Sequence, residues 1–113
     1  MSSEERADKL PDGDRAFTAV ELSQFDGSNP ENPIYVAVKG VVFDVSKSRA
    51  MYAPGCGYNV FAGRDASRAL ALSSVKVEDC IPDRSGLSEE QQATLDKWEQ
   101  FYRKKYNIIG TVA

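Results

Sequence analysis

Two short runs of apolar residues near the middle of the chain predict a β-hairpin. Residues 34–38 read Ile-Tyr-Val-Ala-Val, and residues 41–45 read Val-Val-Phe-Asp-Val. Apolar residues recur at every second position, at 34, 36 and 38 in the first run and at 41, 43 and 45 in the second, which is the spacing of a strand with one buried face. The dipeptide Lys39-Gly40 between the runs has a glycine suited to a tight turn. The pattern therefore predicts two antiparallel strands.

Two capping boxes predict helices on either side of this hairpin. The segment Thr18-Ala-Val-Glu21 predicts a short helix that runs through Phe25, and Ser88-Glu-Glu-Gln91 predicts the start of a longer one. The longer helix is expected to end at Tyr106 or Asn107. Apolar residues recur along it at spacings of three and four, so they lie on one face. That face carries Leu95, Trp98 and Tyr102.

The remaining segments complete a prediction of the α+β class. A further helix is expected to start at Asp65, which would cap it, and residues 108–112 read as an edge or closing strand. Because strands and helices do not alternate as βαβ units, an α/β fold is not indicated. Residues 1–15 are polar and charged and are expected to form a flexible tail, so the domain is predicted to span residues 16–113.

Composition excludes several classes of function. The chain has 113 residues, a net charge of −3 and a sequence pI near 4.9, so nucleic acid is not expected as a partner. No signal peptide and no apolar run of spanning length are found, and a cytosolic location with reduced Cys56 and Cys80 is expected. Without histidine there is no Ser-His-Asp or Cys-His arrangement. We therefore expect a binding module rather than an enzyme.

A loop rich in glycine carries the candidate chemistry. Residues 52–58 read Tyr-Ala-Pro-Gly-Cys-Gly-Tyr, so a tyrosine stands at each end. Phenol oxygens are known ligands of haem iron. A chain that lacks histidine has only Tyr, Cys, Met or Lys to offer such an iron. A lone tyrosine beside glycines is more often a packing residue, and the residues alone leave both roles open.

Four blocks of sequence carry a resemblance to a known family. They are residues 17–27, 34–46, 61–68 and 98–110, and the most specific is Phe61-Ala-Gly-Arg-Asp-Ala-Ser-Arg68. In this order and spacing they resemble the haem/steroid-binding domain of the membrane-associated progesterone receptor family, a branch of the cytochrome b5-like fold. The resemblance implies a small β-sheet with helices that form a haem crevice, and haem b as the cofactor.

The resemblance also implies roles for individual residues. Tyr58 stands where the family has its iron ligand, and Tyr52 where it has a second tyrosine of the pocket. Lys105 and Tyr106 match a pair that closes the pocket, where the lysine can neutralise a propionate and the tyrosine is a rival ligand. The alternatives stay open at this point: Tyr52 and Tyr106 as core aromatics, and Lys105 as a solvated lysine.

This chain departs from the family in two places. The family loop reads Tyr-Gly-Pro-x-Gly-Pro-Tyr, whereas here Cys56 precedes the expected ligand by two residues. A thiolate is a strong ligand of haem iron, but the favoured interpretation is that Cys56 is a small residue in the place of a proline. The second departure concerns the membrane anchor that family members usually carry, since no apolar run of spanning length is found here. If an anchor is missing from this chain, or a membrane partner recruits it, the expected location is the cytosolic face of the endoplasmic reticulum.

Arg68 lies in the signature block. Its side chain is expected to reach a carboxylate or propionate, or else to form a surface ion pair.

The function that the resemblance implies is a haem-binding module with a tyrosinate-ligated iron. Such a module would regulate or support the haem-thiolate monooxygenases of sterol metabolism. An exposed haem face would allow a haem-dependent homodimer. Two alternatives remain: a carrier of a steroid or other small apolar ligand, and a protein-interaction module without haem whose pocket is filled by its own side chains.

Overall fold

The structure, a computed structural model, describes residues 13–113 and has the predicted α+β architecture. A four-stranded mixed sheet has the strand order β1-β4-β3-β2. Helices α2, α3 and α4 cover one face of the sheet, and α1 lies on the other. The elements are β1 (Arg15–Phe17), α1 (Ala19–Ser23), β2 (Tyr35–Val38), β3 (Val41–Asp44), α2 (Arg49–Tyr52), α3 (Ser67–Leu72), α4 (Glu89–Lys105) and β4 (Asn107–Val112).

The predicted hairpin is confirmed as β2 and β3, but the prediction of a single buried face is wrong, because all four residues of β2 are buried and core clusters lie on both faces of the sheet. The strands pair antiparallel, and Val38 faces Val41 across a two-residue turn. Both turn residues have positive φ, 52° at Lys39 and 78° at Gly40. This turn type matches the right-handed twist of the strands, and its second position favours glycine. Local sequence is therefore sufficient to predict the strand pairing and the turn.

The predicted C-terminal strand is confirmed as β4, but it lies inside the sheet, so the edge alternative of the prediction is wrong. It pairs antiparallel with β3 on one side and parallel with β1 on the other. Gly110 makes the second pairing possible, because a Cβ at this position would overlap the carbonyl oxygen of Arg15. The close approach of two backbones explains why a glycine interrupts the apolar residues of β4.

The flexible tail predicted for residues 1–15 extends too far along the chain, because its last residues are ordered in the sheet region. Arg15 is the first residue of β1, and the backbone N–H of Gly13 donates to the carbonyl oxygen of Ile108 at 2.7 Å. These residues belong to the sheet because β4 offers them backbone partners that sequence patterns do not reveal. The rest of the predicted tail, residues 1–12, lies outside the described residues.

Both capping boxes are confirmed. The Thr18 hydroxyl accepts from the backbone N–H of Glu21 at 3.0 Å, and the Glu21 carboxylate accepts in return from Thr18 at 2.8 Å. Ser88 and Gln91 repeat the arrangement at the start of α4. Helix α1 ends at Ser23, two residues earlier than predicted, and α4 ends at Lys105, one residue before the predicted Tyr106, which is its C-cap.

Helix α3 begins at Ser67 rather than at Asp65. Asp65 instead forms a bridge with Ala37 of β2, and its carboxylate accepts from the backbone N–H groups of Ser67 and Gly40, both at 3.0 Å. The acid therefore satisfies the first N–H of the helix, as a cap would, and at the same time ties the helix to the hairpin turn.

The core is divided between the two faces of the sheet. The larger cluster packs Phe43 of β3 against α4, where its ring centroid lies 5.4 Å from that of Tyr102. The smaller cluster places Phe25 in a stack on Tyr35, with centroids 4.5 Å apart. Within residues 13–113, no helix is both long enough and apolar enough to cross a membrane.

Candidate ligand-binding cavity

One cavity brings together all four residues predicted for the site. It has a volume of about 360 Å³, near the lower end of the range of about 300–1,000 Å³ typical of small-molecule sites. Helix α2 and the loop that follows it form one wall, and a face of α4 forms the other. The lining residues are Met51, Tyr52, Tyr58, Thr94, Lys97, Trp98, Phe101, Lys105 and Tyr106.

A tight turn and two hydrogen bonds position Tyr52 and Tyr58 on one wall of the cavity. Tyr52 is the last residue of α2, and the chain then reverses through a loop in which Gly55 has a φ of +85°. The backbone N–H of Tyr58 donates to the carbonyl oxygen of Met51 at 2.9 Å. The side-chain amide of Asn59 closes the loop by donating to the carbonyl oxygen of Tyr52 at 2.8 Å. Both tyrosine rings are thereby held on the same side, with centroids 5.9 Å apart.

The hydroxyls of the buried tyrosines around the cavity form hydrogen bonds within the protein. The hydroxyl oxygens of Tyr52 and Tyr102 lie 2.7 Å apart, and that of Tyr106 lies 2.8 Å from Oγ of Ser48. Burial is the main cause that raises the pKa of Tyr52 and of Tyr102 well above the ordinary value for tyrosine. The phenolate form is therefore disfavoured at both residues.

Tyr58 differs from these three residues. Its ring is half-exposed and packs against Tyr52 and Phe61. In contrast to the other two tyrosines that line the cavity, its hydroxyl has no hydrogen-bond partner among the described residues. An external atom can therefore bind this oxygen without breaking a bond that stabilises the fold. The candidate ligand Tyr58 is thus the cavity tyrosine with an available oxygen.

The wall formed by α4 includes residues that the sequence analysis does not single out. Thr94, Lys97 and Phe101 share a face with Trp98 and the predicted Lys105, because these residues recur at spacings of three and four. The ammonium nitrogen of Lys105 lies 5.4 Å from the ring centroid of Phe101. The same periodicity, counted backwards from Lys105, would find Lys97.

Tyr102 is a further residue whose role the sequence does not reveal. The apolar face of α4 predicts it only as a core residue. Its hydroxyl bond to Tyr52 joins two elements far apart in sequence. No local pattern indicates such a contact.

The other candidate residues lie away from the cavity. Cys56 is half-exposed on the loop and is not among the residues that line the cavity, and Cys80 is buried elsewhere, so the two thiols are free. Burial raises the pKa of Cys80 to about 11. The guanidinium of Arg68 donates to the carbonyl oxygens of Asp83 and Ser85. Arg68 therefore holds a loop in place, and within residues 13–113 it forms no ion pair with a carboxylate.

The fold and the cavity together define the class. Over residues 18–112 the chain matches the sequence profile described as "Cytochrome b5-like Heme/Steroid binding domain". A solved structure of an Arabidopsis thaliana protein, described as having a cytochrome b5 like fold, superposes with a TM-score of 0.82 at 43% identity, covering 92% of this chain and 95% of that one. The chain belongs to the cytochrome b5-like heme/steroid-binding domain family, in its membrane-associated progesterone receptor branch.

Similar proteins include one that is much longer than this chain and one of similar length. The chain is 50% identical over 96 residues to "Membrane steroid-binding protein 2" of Oryza sativa subsp. japonica, and 47% identical over 96 residues to "Probable steroid-binding protein 3" of Arabidopsis thaliana. Each match covers 85% of this chain. It covers 36% of the rice protein and 96% of the Arabidopsis one, so the chain spans about a third of the first.

Proposed function

We propose that the cavity binds haem b, with the Tyr58 hydroxyl oxygen as the iron ligand. The observation that carries the proposal is the available hydroxyl of Tyr58 beside an apolar cavity. The chain has no histidine, so the bis-imidazole ligation of an electron-carrying cytochrome b5 is excluded. Bound as a phenolate, Tyr58 would favour the ferric state of haem, and this suits regulation or sensing better than fast electron relay.

The surrounding residues have defined tasks in this proposal. Tyr52 supports the ring of Tyr58, and its own hydroxyl is held by Tyr102. Tyr106 forms the inner wall and is anchored by Ser48. Lys105 lies at the mouth, where its ammonium group can neutralise a carboxylate. These contacts keep the hydroxyls of Tyr52 and Tyr106 in hydrogen bonds and leave the hydroxyl of Tyr58 available to the iron.

A second candidate ligand is a steroid. The relatives described above are named steroid-binding proteins, and Trp98 and Phe101 provide flat apolar surfaces in the cavity. The third alternative is an interaction module without haem, which predicts a pocket filled by its own side chains. The open cavity does not support this alternative.

A titration of the purified protein distinguishes haem from steroid. Trp98 is the only tryptophan of the chain and lines the cavity, so its fluorescence reports binding of either ligand. Haemin is expected to quench Trp98 and to develop a Soret absorption band that saturates at one equivalent. Progesterone is expected to quench weakly and to be displaced by haemin. Saturable binding of progesterone by a protein that takes up no haemin would contradict the proposal and favour the steroid carrier.

The proposed biological role is regulation of haem-thiolate monooxygenases of sterol metabolism, at the cytosolic face of the endoplasmic reticulum. This part is carried over from the family resemblance. A suitable test is whether the haemin-loaded protein, and not its Tyr58→Phe variant, changes the activity of such a monooxygenase in reconstituted membranes. Equal effects of both proteins would count against a role for the ligated iron.

We also propose that haem binding promotes dimerisation. Met51 and Phe101 at the mouth of the cavity are 43% and 42% exposed, and a flat apolar ligand face beside them would enlarge the apolar surface. Sedimentation velocity is expected to show a monomer without haemin and a concentration-dependent dimer with it. A haemin-loaded protein that stays monomeric at all concentrations would disprove this proposal.

A further inference from the structure

The acidic side chains in the middle of helix α4 lie away from the cavity. Asp96 and Glu99 both pair with Lys39 of the hairpin turn, and Glu99 also pairs with Arg103. Lys97 and Lys105 face the cavity, which no Asp or Glu lines. Neither of these ammonium groups forms a salt bridge with a side chain of residues 13–113. The cavity mouth therefore carries two positive charges that the described part of the protein does not neutralise.

An exposed aromatic ring lies between the two charges. Lys97 and Lys105 are eight residues apart, about 12 Å along the helix axis, and Phe101 stands midway. Its ring is 42% exposed and lies 5.4 Å from the ammonium nitrogen of Lys105. Lysine stems are apolar and flexible, so both ammonium groups can bend over this ring towards the mouth. An apolar surface with a cation at each side is complementary to a flat molecule with anionic groups at its edge.

We propose that Lys97, together with Lys105, binds carboxylates at the edge of the ligand and makes the cavity selective for a flat amphiphilic anion over an uncharged molecule of the same shape. The proposal rests on the proposed haem-binding function because it concerns the same cavity, and haem b offers two propionates. It does not depend on the bond between Tyr58 and iron. Lys97 is the new element, since it is not a candidate in the sequence analysis and lines the cavity in the structure.

The physical effect is a charge-assisted hydrogen bond at a partly exposed site. Such bonds are stronger than neutral ones, but exposure to water and salt reduces their contribution. The loss of one ammonium group should therefore weaken binding by a moderate factor. An uncharged ligand should not respond to this loss, because the apolar lining by Trp98 and Phe101 is unchanged.

The test compares haemin with haemin dimethyl ester, which has the same ring and iron but no free carboxylate. Binding to wild type and variants is followed by quenching of Trp98. At low ionic strength, wild type is expected to bind haemin about tenfold more tightly than the ester. Lys97→Gln is expected to weaken haemin binding about fivefold and to leave ester binding unchanged. Lys97→Arg, which keeps the charge, should restore most of the affinity.

Lys104→Gln is the matched control, since Lys104 is exposed on the same helix and does not line the cavity. Its effect on haemin binding should stay within about twofold. Equal binding of haemin and ester by wild type would overturn the inference and leave haem binding intact. The inference would also be overturned if Lys97→Gln and Lys104→Gln lost the same affinity for haemin. The same holds if Lys97→Gln weakened the binding of haemin and of the ester equally. A wild type that binds neither compound would overturn the proposed function and this inference with it.

Discussion

Replacement of Tyr58 by phenylalanine is expected to lower the affinity for haemin by at least about a hundredfold, since changes of groups that merely support a metal ligand already cost up to that factor. It should also abolish the charge-transfer absorption between phenolate and ferric iron. The hydroxyl of Tyr58 has no partner within residues 13–113, so its removal breaks no hydrogen bond in this part of the fold. The thermal midpoint of the ligand-free protein should therefore stay close to that of wild type.

Two control variants make this result specific. Tyr52→Phe leaves the buried hydroxyl of Tyr102 without its partner, which should cost about 1–3 kcal/mol of stability while the charge-transfer band is retained. Cys56→Ser should change neither the spectrum nor the stability, because Cys56 does not line the cavity. An unchanged spectrum and affinity in Tyr58→Phe would refute the assignment, and a thiolate-type spectrum lost in Cys56→Ser would assign the iron to Cys56.

The largest expected loss of stability follows replacement of Phe43 by alanine. Phe43 is 0% exposed and packs against Tyr102 between the sheet and α4. Removal of a buried phenylalanine ring costs about 3–5 kcal/mol in transfer free energy and cavity formation. Since domains of this size are stable by only about 5–15 kcal/mol, a large part of the stability would be lost. Urea unfolding of the ligand-free protein measures the change.

Phe101→Ala is the matched control for this prediction. The same chemical change is made on α4, but at a ring that is 42% exposed at the cavity mouth. Its expected effect on the free energy of unfolding is below about 1 kcal/mol, whereas haemin binding should weaken because the exposed ring is part of the cavity. Similar losses of stability in both variants would show that the core does not centre on the contact between β3 and α4.

Local sequence determined the elements whose partners are close in the chain. The hairpin is predictable because alternation and a turn dipeptide act within about ten residues. The starts of α1 and α4 are predictable because each capping box closes its own hydrogen bonds between residues three positions apart. The tyrosine-flanked loop and the lack of histidine restrict the possible iron ligands by residue type alone, with no knowledge of how the chain packs.

Tertiary structure decided the features that depend on partners distant in sequence. Strand β4 is internal because β1, from the opposite end of the chain, pairs with it, and no local pattern encodes that contact. Asp65 lies before its helix because its carboxylate is shared with the hairpin turn. The hydroxyls of Tyr52 and Tyr106 are engaged by Tyr102 and Ser48, which lie 50 and 58 residues away from them. Sequence can name the candidate oxygens, but only packing decides which of them is left available to a ligand.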